Sequence, residues 1–444
     1  MRTSLFGTSG IRGKAQELFT QEFCFDLGIT FDLFLTRKSL DGPVIVGMDP
    51  RGSSPAIKSS LIAGLQSAGR EVLDAGTTPV PSICYSLQVI PAAGSVMVSG
   101  SHIAADQNGI KFFYKKEEIL KPDEEEIDEI YQEIKGKSPY KKGTKPVNST
   151  NAVNETYQDM LVGLTHRQFS NLKIVVDAGN GAQSDTMPQV LTRLGFEVIE
   201  KDCSIQAGFI ARDTETLDAV ASLQKSVIEE KADLGIAYDA DGDRVVFVDH
   251  TGRFVPGDYT GTMLATKSDG EAIVTPINTS QVIDKIGKKI YRTRVGSPFV
   301  ISKMKETQSV FGFEANGGGI HANIMYSRDG GSTTIKILDF IAEKGGTLKD
   351  IFDSFPRFYQ YRTKIDCPRE LNETIIEAAK KEYPGRLDET DGLKIWISDT
   401  EWILLRPSGN APEFRVFTES PDVTRADQLG EVAINFVKKI ILTR

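Results

Sequence analysis

A strand, helix, strand unit that recurs along the chain constrains the fold more than any other feature. Val44-Ile45-Val46-Gly47-Met48 is a short apolar run closed by the turn Asp49-Pro50-Arg51. A stretch of helical period follows from about 55 to 68, and then a second run, Glu71-Val72-Leu73-Asp74-Ala75-Gly76. The order returns at Lys173-Ile174-Val175-Val176-Asp177, a helix near 187–194, and Phe196-Glu197-Val198-Ile199. A weaker copy runs from Ala272-Ile273-Val274 through a helical segment at 280–288 to Tyr291-Arg292-Thr293. Parallel neighbours need a crossover of a dozen or more residues, which a helix supplies, so this alternation predicts sheets covered by helices. From about Cys367 the pattern changes to a helix near 371–381, strands at 393–397, 401–405 and 413–417, and an amphipathic helix near 425–440. The expected fold class is α/β, three related α/β domains with mixed sheets plus a C-terminal α+β domain. The expected boundaries are 1–150, 151–252, 253–366 and 367–444. The charged stretch from Lys115 to Lys145 marks the first of them and reads as solvated helix and linker.

Charge and cysteine usage narrow the function. With 61 acidic against 52 basic residues the chain carries a net charge of −9, so it has no general basic face for a phosphate backbone and no nucleic-acid partner is expected. An anionic substrate would have to be met by a local cluster of Arg and Lys. Cys24, Cys84, Cys203 and Cys367 are far apart and form no ligand pair, which suits a reducing cytoplasm. Met1-Arg2-Thr3-Ser4-Leu5-Phe6-Gly7 has no apolar targeting core and no long apolar run follows, so a soluble cytoplasmic protein without a membrane partner is expected. Nothing in the sequence sets the oligomeric state.

Four loops and a glycine-rich opening turn carry the chemistry. Val96-Met97-Val98 reads as a buried strand that stops at Ser99-Gly100-Ser101-His102, exposing a hydroxyl beside an imidazole, with Lys111 nearby. The opening Phe6-Gly7-Thr8-Ser9-Gly10-Ile11-Arg12-Gly13 offers backbone N–H groups and a guanidinium to an anion, or is a tight turn. Ala237-Tyr238-Asp239-Ala240-Asp241-Gly242-Asp243-Arg244 sets three carboxylates at alternate positions, which repel one another unless a hard cation, Mg²⁺ first, sits among them. It is no EF-hand, since Arg244 and His250 stand where the loop glycine and the closing glutamate belong. Glu314-Ala315-Asn316-Gly317-Gly318-Gly319 suits vicinal hydroxyls or a hinge, with Thr293-Arg294-Val295-Gly296-Ser297 preceding it. Arg406-Pro407-Ser408-Gly409-Asn410-Ala411-Pro412 suits a phosphate.

In order and spacing these loops resemble the α-D-phosphohexomutase family of phosphoglucomutases, phosphomannomutases and phosphoglucosamine mutases. The resemblance runs from Gly7-Thr8-Ser9-Gly10-Ile11-Arg12-Gly13 to the Arg406 loop and so covers essentially the whole chain. It implies a central cleft between the four domains and an intramolecular phosphotransferase interconverting hexose 1-phosphate and hexose 6-phosphate of glucose or mannose. A phosphoserine enzyme and a hexose 1,6-bisphosphate intermediate would carry the reaction. Phosphoglucosamine mutase is the alternative within the family, and a catalytically silent sugar-phosphate-binding protein the alternative of another class. Carried onto this sequence, the resemblance makes Ser101 the phosphoryl carrier and Asp239, Asp241 and Asp243, with Ser101, the Mg²⁺ ligands. Arg12, His102, Lys111 and Arg244 would line the reaction centre, with Lys111 and His102 available for acid–base work. Glu314, Asn316 and Arg294 would bind the sugar, and Arg406, Ser408, Gly409 and Asn410 the phosphate that is not reacting. The chain departs from the family at Ile103-Ala104, where Asn-Pro is common, at Ser297, where Asp or His is usual, and at Asn316 and Gly318, where many members have Ser and His. Asn410-Ala411 replaces Thr-Glu.

Overall fold

A computed structural model describes residues 4–7, 9–137, 146–169, 172–214, 218–409 and 412–443. Among them four sheets follow one another along the chain. The first holds, in spatial order, Ile11–Lys14, Gln107–Tyr114, Gly94–Val98, Val44–Met48, Val72–Thr77 and Val147–Ser149, with Glu117–Glu118 paired to Gln107–Tyr114. The second runs Phe254–Val255, Val245–Asp249, Leu234–Tyr238, Lys173–Asp177, Glu197–Lys201, and the third Lys289–Thr293, Ala272–Pro276, Phe311–Phe313, Gly319–His321. The fourth, Tyr359–Asp366, Glu413–Ser420, Trp402–Pro407, Leu393–Trp396, Arg386–Asp388, is antiparallel throughout and is covered by Asn372–Glu382 and Val423–Leu442.

One device repeats in the first three sheets. The central strands are parallel, and one of them turns back into an antiparallel neighbour: Gly94–Val98 into Gln107–Tyr114, Leu234–Tyr238 into Val245–Asp249, Phe311–Phe313 into Gly319–His321. In the last sheet Trp402–Pro407 is likewise followed by its antiparallel partner Glu413–Ser420. The Ser101, aspartate, Glu314 and Arg406 loops all follow the carboxyl end of such a central strand, where open α/β sheets bind ligands.

Both faces of the central strands are buried, which is why they read as unbroken apolar runs. Val44, Val46, Val96 and Val98 pack with Phe31, Phe34 and Phe112 on one side of the first sheet. Ile45 and Met97 on the other side belong to a core that continues through Tyr157, Val176, Tyr238, Phe247, Phe313 and Ile335, welding the first three units together. The fourth unit has its own core and meets the third through Ile277, Trp402, Leu404 and Phe417. No helix among the described residues is long and apolar enough to cross a membrane.

Three sequence expectations need correction. Tyr359–Asp366 pairs along its whole length with Glu413–Ser420, so these residues fold with the last sheet and not at the end of the third unit. The strand has no buried residue, so it leaves no apolar run to read. The segment expected as a helix at 280–288 is a short 3₁₀ turn, Gln281–Lys285. Within the charged stretch, Lys121–Ile134 is a helix that packs Ile127 and Ile130 into the first core, and Glu118 is buried. Residues 138–145 of that stretch lie outside the described residues.

The junction between the third and fourth units holds a buried lysine. Lys394 donates to the Ile277 carbonyl at 3.0 Å and sits 3.9 Å from the centre of the Trp402 ring. Burial, and then Arg292, push its amine from 10.5 down to about 7. Between those values the unfolded chain holds a proton that the folded chain has released, so stability rises with pH. Below about 7 both states are protonated and the penalty is fully present. Lys394→Met should raise the melting temperature near pH 7 and remove this part of the slope, as melts of both proteins across the window would show. Identical slopes would place the titration elsewhere.

Candidate active site

Ser101 follows a fully buried strand and takes the left-handed conformation at φ 51°. Its hydroxyl, without exposed surface, donates to Asp239 Oδ2 at 2.7 Å and lies 3.4 Å from His102 Nδ1. Its amide donates to Ser99 Oγ at 2.8 Å. Ser99 Oγ in turn is 2.8 Å from Asp49 Oδ2 and 3.0 Å from Asp241 Oδ2, so its single proton can go to either.

Asp239, Asp241 and Asp243 are buried, with carboxylate oxygens within 4.8 Å of one another. Burial first, and then the charges of Asp241 and Asp243, push the Asp239 carboxyl up to about 8. Burial opposes ionisation of Asp243 too, but Arg328, Lys111 and Arg244 outweigh it and hold that carboxyl well below the usual range. Oδ1 of Asp241 and Oδ1 of Asp243 are buried without a hydrogen-bond partner. An all-oxygen cluster with spare buried acceptors and a carboxyl that resists ionising on its own fits a hard divalent cation.

Cations converge on the triad. Lys111 stands opposite Met97 in the antiparallel return strand, and its ammonium donates to Asp241 Oδ2 at 2.8 Å and Asp243 Oδ2 at 3.0 Å. Burial works against its charge, but Asp241 and Asp243 prevail and raise its pKa. Arg244 Nε lies 3.7 Å from Asp239 Oδ2 and 3.8 Å from Asp243 Oδ1. The Arg12 guanidinium is lowered by burial and by Arg244, and its Nε is buried without a partner. His102 is held well below the ordinary imidazole range by burial and then by Arg244, Arg12 and Arg328, so the ring is neutral at pH 7.

The sugar-loop candidates are partly engaged by the protein itself. Glu314 accepts from the Gly296 amide at 3.1 Å and from Arg328 Nη1 at 2.7 Å. Asn316 Oδ1 accepts from the Gly318 amide at 3.1 Å, and its carbonyl accepts from the Thr214 hydroxyl at 3.0 Å. Gly317, at φ 87°, lies so close to the strand leaving the aspartate loop that a Cβ would stand 1.7 Å from the Val245 carbonyl oxygen. Only glycine allows that approach. His321 is buried, stacked on Phe311 at 4.9 Å, with Nε2 unpartnered.

In the fourth unit Arg406 Nε donates to Asp391 Oδ2 at 2.5 Å, and the Val295 amide donates to the same carboxylate oxygen at 2.9 Å. Arg294 Nε is 3.9 Å from Asp391 Oδ1. The Ser408 amide donates to the Glu413 carbonyl at 2.9 Å, Gly409 is exposed, and Asn410 lies outside the described residues. Lys364, Arg415 and Arg406 occupy matching positions on adjacent strands, a row of cations beside the loop.

Two residues of the site escape sequence inspection. Arg328 donates to Asp243 Oδ2 and to Glu314 Oε2, both at 2.7 Å, and so joins the aspartate and sugar loops. Its one local signal is its place just before Asp329, whose side chain caps the helix Gly330–Lys344. Glu118, hidden in the charged stretch, accepts from the Ser9 hydroxyl at 2.5 Å and the Ser297 hydroxyl at 3.0 Å, tying the opening loop to the third unit. Polar contacts thus run from Ser101 and Asp239 through Arg244, Asp243, Arg328, Glu314 and the 295–296 backbone to Asp391 and Arg406.

Three family models match in succession: phosphoglucomutase/phosphomannomutase alpha/beta/alpha domain I over residues 3–138, domain II over 154–252 and domain III over 256–359. A phosphoglucomutase/phosphomannomutase of Thermococcus kodakarensis is 33% identical across 98% of this chain and 99% of its own length. A probable phosphoglucosamine mutase of Methanococcoides burtonii is 31% identical across 98% and 99%. Among solved structures, a phosphoglucomutase/phosphomannomutase family protein of Burkholderia thailandensis superposes with a TM-score of 0.83 at 21% identity, covering 99% of this chain and 98% of its own. The Aspergillus fumigatus N-acetylphosphoglucosamine mutase, solved with GlcNAc-6P and magnesium, gives 0.65 at 14% identity, with 99% and 96% covered. At these identities the two structures speak to the fold alone.

Proposed function

The chain belongs to the phosphoglucomutase/phosphomannomutase family of mutase enzymes, and from that premise we propose that it interconverts the 1- and 6-phosphates of glucose or mannose through a phosphorylated Ser101. The observation that carries the proposal is the Ser101 hydroxyl 2.7 Å from Asp239, inside a buried carboxylate triad ringed by Lys111, Arg244, Arg12 and Arg328. Phosphoryl transfer needs alignment and charge neutralisation more than covalent help, and this arrangement supplies both. Asp239, Asp241 and Asp243, with an oxygen of the Ser101 phosphoryl group, would hold Mg²⁺. When bound, that ion neutralises charge on the transferring group.

Phosphoserine 101 gives its phosphoryl to the free hydroxyl of a hexose monophosphate, and the hydroxyl proton is relayed through His102 or Lys111 to the Ser101 oxygen that leaves. The bisphosphate turns round, Ser101 attacks the other phosphate, and a proton returns to the released sugar hydroxyl. Arg406, Ser408, Gly409 and Asn410 would grip the idle phosphate in either orientation, and Glu314, Asn316 and Arg294 the sugar between. Relatives named as phosphoglucosamine mutases at about the same identity favour glucosamine phosphates as the second reading.

The test is intact-protein mass measurement after incubation with hexose 1,6-bisphosphate and Mg²⁺, with peptide mapping and isomer assays on glucose, mannose and glucosamine phosphates. One phosphoryl group on Ser101 with isomerisation is expected. Binding without phosphoryl gain would mean a catalytically silent sugar-phosphate-binding protein. Asp241→Asn should weaken Mg²⁺ binding at least about tenfold by removing one anionic ligand. An unchanged metal titration would take the acidic loop out of the site.

A further inference from the structure

The Ser101 loop contains no proline between Ser99 and Asn108, and its nucleophile sits in a left-handed conformation that a serine does not hold without support. The support comes from Arg51, which is buried and belongs to the turn after another strand. Its Nη2 donates to the carbonyls of Ser101 and, at 2.8 Å, Ile103. Its Nη1 donates to the carbonyls of Ala104 at 2.7 Å and Gln107 at 3.1 Å, and its Nε to Asp49 Oδ2 at 3.0 Å. All five donors face the loop or its anchor. Asp49 closes the frame, since Oδ2 also accepts from the Gly100 amide at 3.3 Å and Oδ1 from the Ser54 hydroxyl at 2.7 Å. The loop touches Arg51 so closely that a Cβ on Gly100 would lie 2.8 Å from the guanidinium carbon.

The other side of the guanidinium is covered from a different unit. Phe209, in the segment after the strand Glu197–Lys201, lies with its ring centre 4.4 Å from Arg51 Cζ. The same segment continues through Arg212, anchored on Asp177, to Thr214, which donates to the sugar-loop carbonyl of Asn316. A single stretch of the second unit therefore reaches both the support of the nucleophile loop and the sugar loop.

We infer that Arg51 is a positioning residue for phosphoryl transfer, fixing Ser101 in its reactive turn through four loop carbonyls, with Phe209 as the seat that registers docking of the second unit on the first. The inference rests on the reading of Ser101 as the phosphoryl carrier. Arg51 touches neither the triad nor the hydroxyl, and Arg51→Lys keeps a positive charge beside Asp49, so that variant alters placement while retaining the charge. Lysine cannot replace it, because an ammonium has three donors and no planar fork.

The test compares wild type with Arg51→Lys, Arg51→Lys combined with Ala104→Pro, and Phe209→Leu. Each is assayed for Ser101 phosphorylation by hexose 1,6-bisphosphate, for kcat and KM per folded molecule, and for amide exchange of residues 99–108. In Arg51→Lys, phosphorylation and kcat should fall about 10- to 100-fold, as misplacement of a reacting group by about 1 Å costs, while KM stays within about twofold. Exchange in the loop should quicken. Proline at the exposed position 104 stiffens the loop through its own backbone and should recover part of the lost rate without restoring the guanidinium. A smaller loss, about threefold, is expected of Phe209→Leu, which keeps the fork and removes its aromatic seat. A purely structural Arg51 would lower melting temperature and yield but leave kcat per folded molecule unchanged, and that result would overturn the inference. Should Arg51→Lys fail to fold, an unaltered rate and loop exchange in Phe209→Leu would overturn the seat. No phosphoryl on Ser101 in wild type would instead overturn the parent reading, which the exchange data separate from the hold of Arg51 on the loop.

Discussion

Ser101→Ala is expected to lose both the phosphoryl gain and the isomerisation, by about four orders of magnitude or more, because the hydroxyl that the proposed reaction phosphorylates is gone. The fold should survive. The substitution removes one hydroxyl from Asp239 Oδ2, a cost of about 1–3 kcal/mol for a buried acceptor left unpaired, and the left-handed φ is no harder for alanine than for serine. Mass measurement, isomer assay and a thermal melt on the same sample check all three statements. Appreciable mutase activity in a folded Ser101→Ala protein would remove Ser101 from the mechanism.

Arg328→Gln is expected to have the second largest effect, on stability as well as on rate. The guanidinium is buried between Asp243 and Glu314, with bonds of 2.7 Å to each, and Asp243 owes its low pKa first to Arg328 among the cations that oppose burial. Removing one member of a buried charge group leaves its partners uncompensated, which costs about 3–5 kcal/mol. Because Arg328 also adds positive charge to the reaction centre, kcat/KM should fall about 10²- to 10³-fold. Arg328→Lys should recover only part of either loss, since one ammonium cannot reach both carboxylates with the same geometry. The double variant Arg328→Gln with Glu314→Gln should lose less stability than the sum of the singles, because each substitution relieves the charge the other strands. Denaturation midpoints and steady-state rates read these effects, and a stable, active Arg328→Gln protein would show that the bridge has no part in holding the two loops.

The aspartate cluster shows how a pattern in the sequence becomes a chemical environment. Alternate carboxylates signal mutual repulsion, and hence a cation, from their spacing alone. Which cations temper the repulsion is a separate matter. Lys111 comes from the first sheet, Arg244 from the loop itself and Arg328 from the third unit. The local concentration of basic groups that a net charge of −9 demands is therefore assembled across units, and no contiguous stretch shows it.

The sequence by itself determined the strands and the loops that end them. Val44–Met48, Gly94–Val98, Lys173–Asp177 and Leu234–Tyr238 are legible because apolar periodicity reflects burial of near neighbours, and each run stops where small, polar or acidic residues begin. Tyr359–Asp366 was not legible, since an edge strand without a buried residue draws its stability from pairing with Glu413–Ser420 and not from an apolar face. Tertiary structure alone decided the partners of Arg51, Glu118 and Arg328. Their hydrogen bonds join residues up to 179 positions apart. Such bonds exist only at separations near 3 Å, set by how the units dock, and nothing in the local chemistry of an arginine or a glutamate announces which carbonyl or carboxylate it will meet.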